Sequence, residues 1–143
     1  MALKSYRLFF ISIIIAIVNS IVIRESVVVD QHGLGNFTTI RESFAAAPNE
    51  IDIKDGFFQL HLKGGICEKY VSVVYNKKNI MISGDGTNIT IITENRIVGD
   101  GWETGKSWSF DVKGEHFIAI NMTFRNIARA AKGQALAVQN NAN

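Results

Sequence analysis

Few side chains in this sequence can make or break bonds, and their spacing narrows what they can do. Six aspartates stand along it: Asp30, Asp52, Asp55, Asp85, Asp100 and Asp111. Two carboxylates kept in unlike environments can divide the work of nucleophile and acid. Asp85 and Asp100, however, are each flanked by glycine, and that context is turn chemistry. The three histidines, His32, His61 and His116, show no His-x-x-x-His spacing, so no metal site is expected. Cys67 is the single cysteine, which excludes an internal disulfide. With no redox or metal spacing around it, Cys67 reads as a small buried hydrophobe rather than a reactive thiol.

The elements that would position these groups are mostly strands. A chain of 143 residues, 47% hydrophobic and 20% charged, can build one packed domain and is not a disordered composition. Val27–Val29 is a short β-branched run. Thr38–Ala47 reads as one helix: Thr38 or Thr39 can cap it, Glu42 sits in its first turn, and Pro48 follows it. Ile40, Phe44 and Ala47 share a face that must pack on something apolar. Beyond Pro48, short β-rich runs follow at Phe57–Leu62, Val71–Val74, Asn79–Ile82, Ile89–Ile92, Ser107–Val112, Phe117–Met122 and Ala135–Val138, punctuated by Gly, Asn, Asp and Lys. No second helical pattern appears, which argues against a doubly wound α/β sheet. A sandwich, a barrel and a solenoid all remain. Asn-Gly hairpin signals are missing between the runs, and Asn121, Asn126 and Asn140 recur beside strand ends. Both features favour an irregular solenoid.

The first residues read as an address. Lys4 and Arg7 precede the apolar run Leu8–Val18, and Val18-Asn19-Ser20 offers a small residue for cleavage, so residues 1–20 are expected to be a secretory signal. Ile21-Val22-Ile23 prolongs the apolar stretch, and an uncleaved anchor reaching Ile23 is the alternative. Without Lys4 and Arg7, thirteen basic side chains balance thirteen acidic ones. A neutral body gives no electrostatic reason to expect nucleic acid as a partner. Asn36-Phe37-Thr38, Asn88-Ile89-Thr90 and Asn121-Met122-Thr123 are glycosylation triplets that agree with export. Asn121 lies in a strand-like run and is expected to be partly buried.

From Val27 onward a succession of short pieces carries a resemblance. They are Val27 to Ile40 (VVVDQHGLGNFTTI), Ser43-Phe44-Ala45-Ala46-Ala47-Pro48, Lys63-Gly64-Gly65, and Asn79 to Gly86 (NIMISGDG). Asp100-Gly101-Trp102 with Thr104 and Ser107 comes next, then Gly114 and Phe117-Ile118-Ala119. Last are Asn121 to Asn126 (NMTFRN) and Gly133 to Val138 (GQALAV). In this order and spacing the chain resembles the N-terminal part of plant-type pectin methylesterases, the pectinesterase family, over residues 27–143. The resemblance implies an all-β, right-handed, single-stranded parallel β-helix, of which this chain holds the N-terminal coils and one short capping helix. It implies hydrolysis of methyl esters of polygalacturonate in the cell wall, pectin as partner, no metal or organic cofactor, and no membrane association once the signal is removed.

The same resemblance assigns roles residue by residue. Thr104, two residues after Trp102, matches a threonine that contacts the pectin chain. Gln134 matches a glutamine at the edge of the active-site cleft. A hydroxyl and a primary amide both donate and accept, which suits sugar hydroxyls and uronate oxygens. Trp102 is either a sugar-stacking ring or a loop anchor. The family's two catalytic aspartates, an oxyanion-supporting glutamine and an arginine belong to motifs of the Gln-Asp-Thr-Leu, Asp-Phe-Ile-Phe-Gly and Gly-Arg-Pro-Trp kind. None of these occurs in the 143 residues, and none of the six aspartates stands in a matching context. No catalytic residue is therefore assigned, and the chain by itself is expected to be inactive. A non-catalytic, secreted solenoid that binds pectin or a protein is the alternative.

Three departures from the family pattern matter below. The family's Gly-x-Tyr-x-Glu-x-Val element reads here Gly65-Ile66-Cys67-Glu68-Lys69-Tyr70-Val71, with Cys67 in the Tyr place and Lys69 in the Glu place. Trp108 stands where the family usually has a small residue, and His116 where it usually has Gly. Solenoid coils bury their faces against neighbours, so an uncapped end exposes an apolar face and open edges, and self-association is expected.

Overall fold

The computed structural model describes residues 21–68, 70–94, 108–127 and 136–140. Its strands are β1 (Ile23–Val29), β2 (Phe57–Leu62), β3 (Gly65–Glu68), β4 (Val71–Val73), β5 (Ile80–Gly84), β6 (Thr90–Glu94), β7 (Trp108–Val112), β8 (Ile118–Ile120), β9 (Thr123–Asn126) and β10 (Leu136–Asn140), with one helix, α1 (Ile40–Ala46), between β1 and β2. The described strands form three sheets, ordered β1-β2-β5-β8, β3-β6-β9 and β4-β7-β10. Every strand pairs in parallel with the strand one coil away. Parallel neighbours need crossover connections, and here the crossover is the other two sides of the coil. The missing hairpin signals have this cause, and the architecture is a parallel β-helix.

Register carries the core. Val27, Leu60, Ile82 and Ala119 stand opposite one another along the first sheet, and Cys67, Ile92 and Phe124 along the second. Side chains alternate across a strand, so in β2 the buried residues are Phe58, Leu60 and Leu62 while Phe57, Gln59 and His61 face outward. In the third sheet Phe110 lies between Val71 and Val138 in register. Phe110 is fully buried and meets the rings of Phe44, Phe117 and Phe124, with centroids 6.3, 5.6 and 4.9 Å away.

The capping helix forms close to where its sequence signals place it. Thr39 is the N-cap: its hydroxyl oxygen accepts from the Glu42 amide at 3.2 Å. Ile40, Phe44 and Ala47 are buried as their shared face requires. The last carbonyls of the helix receive the ammonium group of Lys77, which donates to the Ala45 and Ala47 oxygens. Burial at that point pushes the Lys77 pKa below the usual lysine value.

Two strands go beyond the sequence expectation. Gly65–Glu68, where no run was expected after the punctuating Gly64-Gly65, is the strand β3, and the run expected over Phe117–Met122 holds only β8, divided from β9 just beyond it. The division falls at Asn121, whose φ of 53° lies in the left-handed region. Asn121 is exposed at this corner rather than partly buried, and Asn36 and Asn88 are exposed as well. Ile23, the far limit of the anchor alternative, is the first residue of β1. Among the described residues no helix is long and apolar enough to cross a membrane.

The corner before β8 explains two family features. A Cβ on Gly114 would lie 2.0 Å from the Lys77 carbonyl oxygen, so only glycine fits. His116 has φ 53°, a conformation that favours the glycine usual at that place. Opposite effects follow in urea unfolding. His116→Gly should raise stability by about 1 kcal/mol, and Gly114→Ala should lower it by about 1–3 kcal/mol. Equal effects of the two would contradict the geometry of this corner.

Candidate functional site

Chain length at the corners separates one edge of the coil from the other two. Turning from the first sheet to the second takes two to five residues: 63–64, 85–89 and 121–122. Turning from the third sheet back to the first takes five or six: 74–79 and 113–117. Turning from the second sheet into the third takes two residues before β4 (69–70), but 13 before β7 (95–107) and 9 before β10 (127–135). Thr104 and Gln134, the two substrate-contacting positions expected from the sequence, belong to these two longer connections. Both lie outside the described residues, as do Trp102 and Asp100. The strands that they precede, β7 and β10, are hydrogen-bonded neighbours, with Leu136 opposite Trp108.

The outward face of the third sheet carries a polar row. Ser72 lies between inward Val71 and Val73, Asp111 between inward Phe110 and Val112, and the two stand opposite each other. Gln139 occupies the same register position on β10. The Ser72 hydroxyl donates to Asp111 Oδ2 at 3.2 Å, and Lys113 Nζ lies 3.4 Å from the same oxygen. Lys113 Nζ also sits 5.9 Å from the centroid of the Tyr75 ring. Asp111 is fully buried, so its carboxylate is held by partners rather than presented to a substrate.

A second polar constellation, on the outward face of the first sheet, was not foreseen. His61 on β2 stands opposite Ser83 on β5. The ring bridges two groups, with Nδ1 3.0 Å from Ser83 Oγ and Nε2 2.8 Å from Asp85 Oδ1. The Gln59 side-chain amide donates to Ser83 Oγ at 3.0 Å, and the Gly64 amide donates to Asp85 Oδ2 at 2.8 Å. With the proton on Nε2, every group is satisfied: the Ser83 hydroxyl donates to Nδ1 and the ring donates to Asp85. Serine, histidine and aspartate within hydrogen-bond reach are the parts of a nucleophilic relay. Ser83 is only 4% exposed, however, and its oxygen already serves Gln59. The arrangement is a clamp between adjacent coils. Only strand register reveals it, because His61 and Ser83 are 22 residues apart.

The Asp85 carboxyl is held below the ordinary aspartate pKa, first by the Gly64 amide and then by the His61 ring. A carboxyl depressed in this way adds stability above its unfolded pKa and loses that contribution as pH falls through the folded value. Asp85→Asn should therefore melt at a lower temperature than the parent chain at pH 7. The gap should close below about pH 4. A gap that stayed constant down to pH 2 would show that the carboxylate charge is not what holds the clamp.

The fold and its polar outer rows define a capped, three-sheet parallel β-helix, and comparison with known proteins gives the family. The model of the pectinesterase family matches residues 26–143. The chain is 48% identical over 123 residues to probable pectinesterase/pectinesterase inhibitor 25 of Arabidopsis thaliana, covering 86% of this chain and 20% of that protein. It is 46% identical over 121 residues to probable pectinesterase/pectinesterase inhibitor 20 of the same plant, covering 85% and 22%. Pectin methylesterase from carrot superposes with a TM-score of 0.75 at 35% identity, over 88% of this chain and 37% of that one. A pectin methylesterase solved in complex with a hexasaccharide shares the fold at 21% identity, with a TM-score of 0.69 over 81% and 39%. This chain belongs to the pectinesterase family, and it spans about a fifth of the length of these curated relatives.

Proposed function

We propose that this chain is the capping helix and first coils of a cell-wall pectin methylesterase. In this reading residues 27–143 belong to the catalytic β-helix, and residues 1–20 are the signal that exports it. The carrying observation is that the family match runs over residues 26–143 and that the superposition on the carrot enzyme covers 88% of the chain. Thr104 and Gln134 are the residues assigned to pectin. In support, the connections that carry them lead into adjacent strands of one sheet. The exposed Asn36, Asn88 and Asn121 suit glycosylation on the export route.

Ester hydrolysis needs a nucleophile, an oxyanion partner and an acid. Asp85 and Asp111, the described aspartates in the polar rows, are both engaged in structural pairs. Catalysis in this reading comes from motifs that these 143 residues do not contain. Residues 21–143 alone should release no methanol from methylated pectin. Joined to the remaining coils of the carrot enzyme, they should release it. In that chimera Gln134→Ala should lower kcat/KM about tenfold. A folded chimera that released no methanol would overturn the reading, and unaltered kinetics for Gln134→Ala would remove Gln134 from the cleft.

One observation favours a binding role for the chain on its own. The strands β8, β9 and β10 are edges among the described residues, and Ile120, Ile127 and Val138 beside them are 41%, 48% and 41% exposed. Open parallel edges with apolar side chains invite pairing with another chain. Sedimentation of residues 21–143 should show concentration-dependent association that Ile120→Lys with Val138→Lys reduces. A strictly monomeric parent chain would exclude it.

A further inference from the structure

Among the described residues the first coil is incomplete on one side. β1 opens the first sheet, but the second sheet begins only at β3, one coil later. Helix α1 covers β1 and β4 and leaves the uncovered edge of β3 beside it. A cavity of roughly 680 Å³ results, open to solvent, between the first turn of α1 and β3. That volume lies in the range of small-molecule sites, about 300–1,000 Å³.

The lining is divided by chemistry. Val29, Leu62, Val71 and Ile92, all buried core residues, supply an apolar floor. Cys67 stands in that floor, opposite Ile92 in register and packed on the core. Its side chain is short where the resembling pattern has tyrosine, so the floor lacks a 4-hydroxyphenyl group's worth of filling. Tyr70 gives one wall an aromatic side chain. At the mouth stand Arg41 and Lys63, neither in an ion pair among the described residues. The acid at the mouth, Glu42, accepts from the Thr38 hydroxyl at 3.3 Å, and Lys63 also feels the charge of Asp85. The two cations stand over an apolar, aromatic-walled floor.

We infer that this cavity binds a small planar aromatic acid, with its ring over Cys67 beside Tyr70 and its carboxylate at Arg41 and Lys63. An apolar cavity that side-chain shortening leaves open can accept a free ring of matching shape. A carboxylate at two cations adds charge-assisted hydrogen bonds and fixes the ring's orientation. The site lies at the capped end of the coil stack. It does not depend on the catalytic reading.

The test uses the full chain and the probe 3-(4-hydroxyphenyl)propionate. Cys67 is the sole thiol, so its reaction with a disulfide reagent reports on the floor directly. The probe should slow that reaction about tenfold at saturation, and Arg41→Gln should weaken probe binding about tenfold. Cys67→Tyr should fill the cavity, raise the melting temperature by about 4–8 °C, and abolish probe binding in equilibrium dialysis. Cys67→Ser, which keeps the cavity, should still bind. Three results would each overturn the inference. They are probe binding to Cys67→Tyr as tight as to the parent chain, equal affinity for the neutral analogue 4-ethylphenol, and a thiol already unreactive in the folded chain without probe. The last would mean that the chain fills its own cavity.

Discussion

Phe110 is where the parts of this molecule meet. Its ring takes Phe44 from the capping helix, Phe117 from the corner before β8, and Phe124 from the following coil. In register it rests between Val71 and Val138. Cap, second, third and fourth coils therefore converge on one fully buried side chain. A solenoid has no global core of the kind a bundle has, because each coil touches only its neighbours. A large ring near the axis compensates by reaching across several coils. The inward rows on either side, Leu60 on Ile82 and Cys67 on Ile92, extend the same rule one contact at a time.

Much of this was legible in the sequence, and the limits are physical. β2 lies over Phe57–Leu62 as its alternation predicts, and the helix follows from Thr39, Glu42 and Pro48. β3 and β9 were missed because each is four residues long and follows a corner of only two, with glycine or asparagine in it. Local pattern reads such a corner as either the end of structure or its continuation. Asn121 shows the second error: a strand-like run conceals a left-handed residue that turns the chain onto another sheet.

The site was legible to a different degree. Family pattern pointed to Thr104 and Gln134, which lie outside the described residues, whereas no pattern pointed to His61 with Ser83 and Asp85. Partners 22 and 24 residues apart become neighbours only when coil length is known, and an irregular solenoid hides its period. The same limit applies to Cys67. Its identity as a small hydrophobe was readable, and it does pack on the core. The space above it was not readable, because that space depends on how α1 sits on β1 and β4 beside the edge of β3.

The unequal corners have a consequence for how such a stack can change. Two edges of the coil are held to six residues or fewer per turn, while the third spans two, 13 and 9 in successive coils. Strand spacing stays near 4.8 Å whatever the corner length. Pitch and reach are thus uncoupled: residues can be gained or lost along this margin without disturbing the rungs behind it.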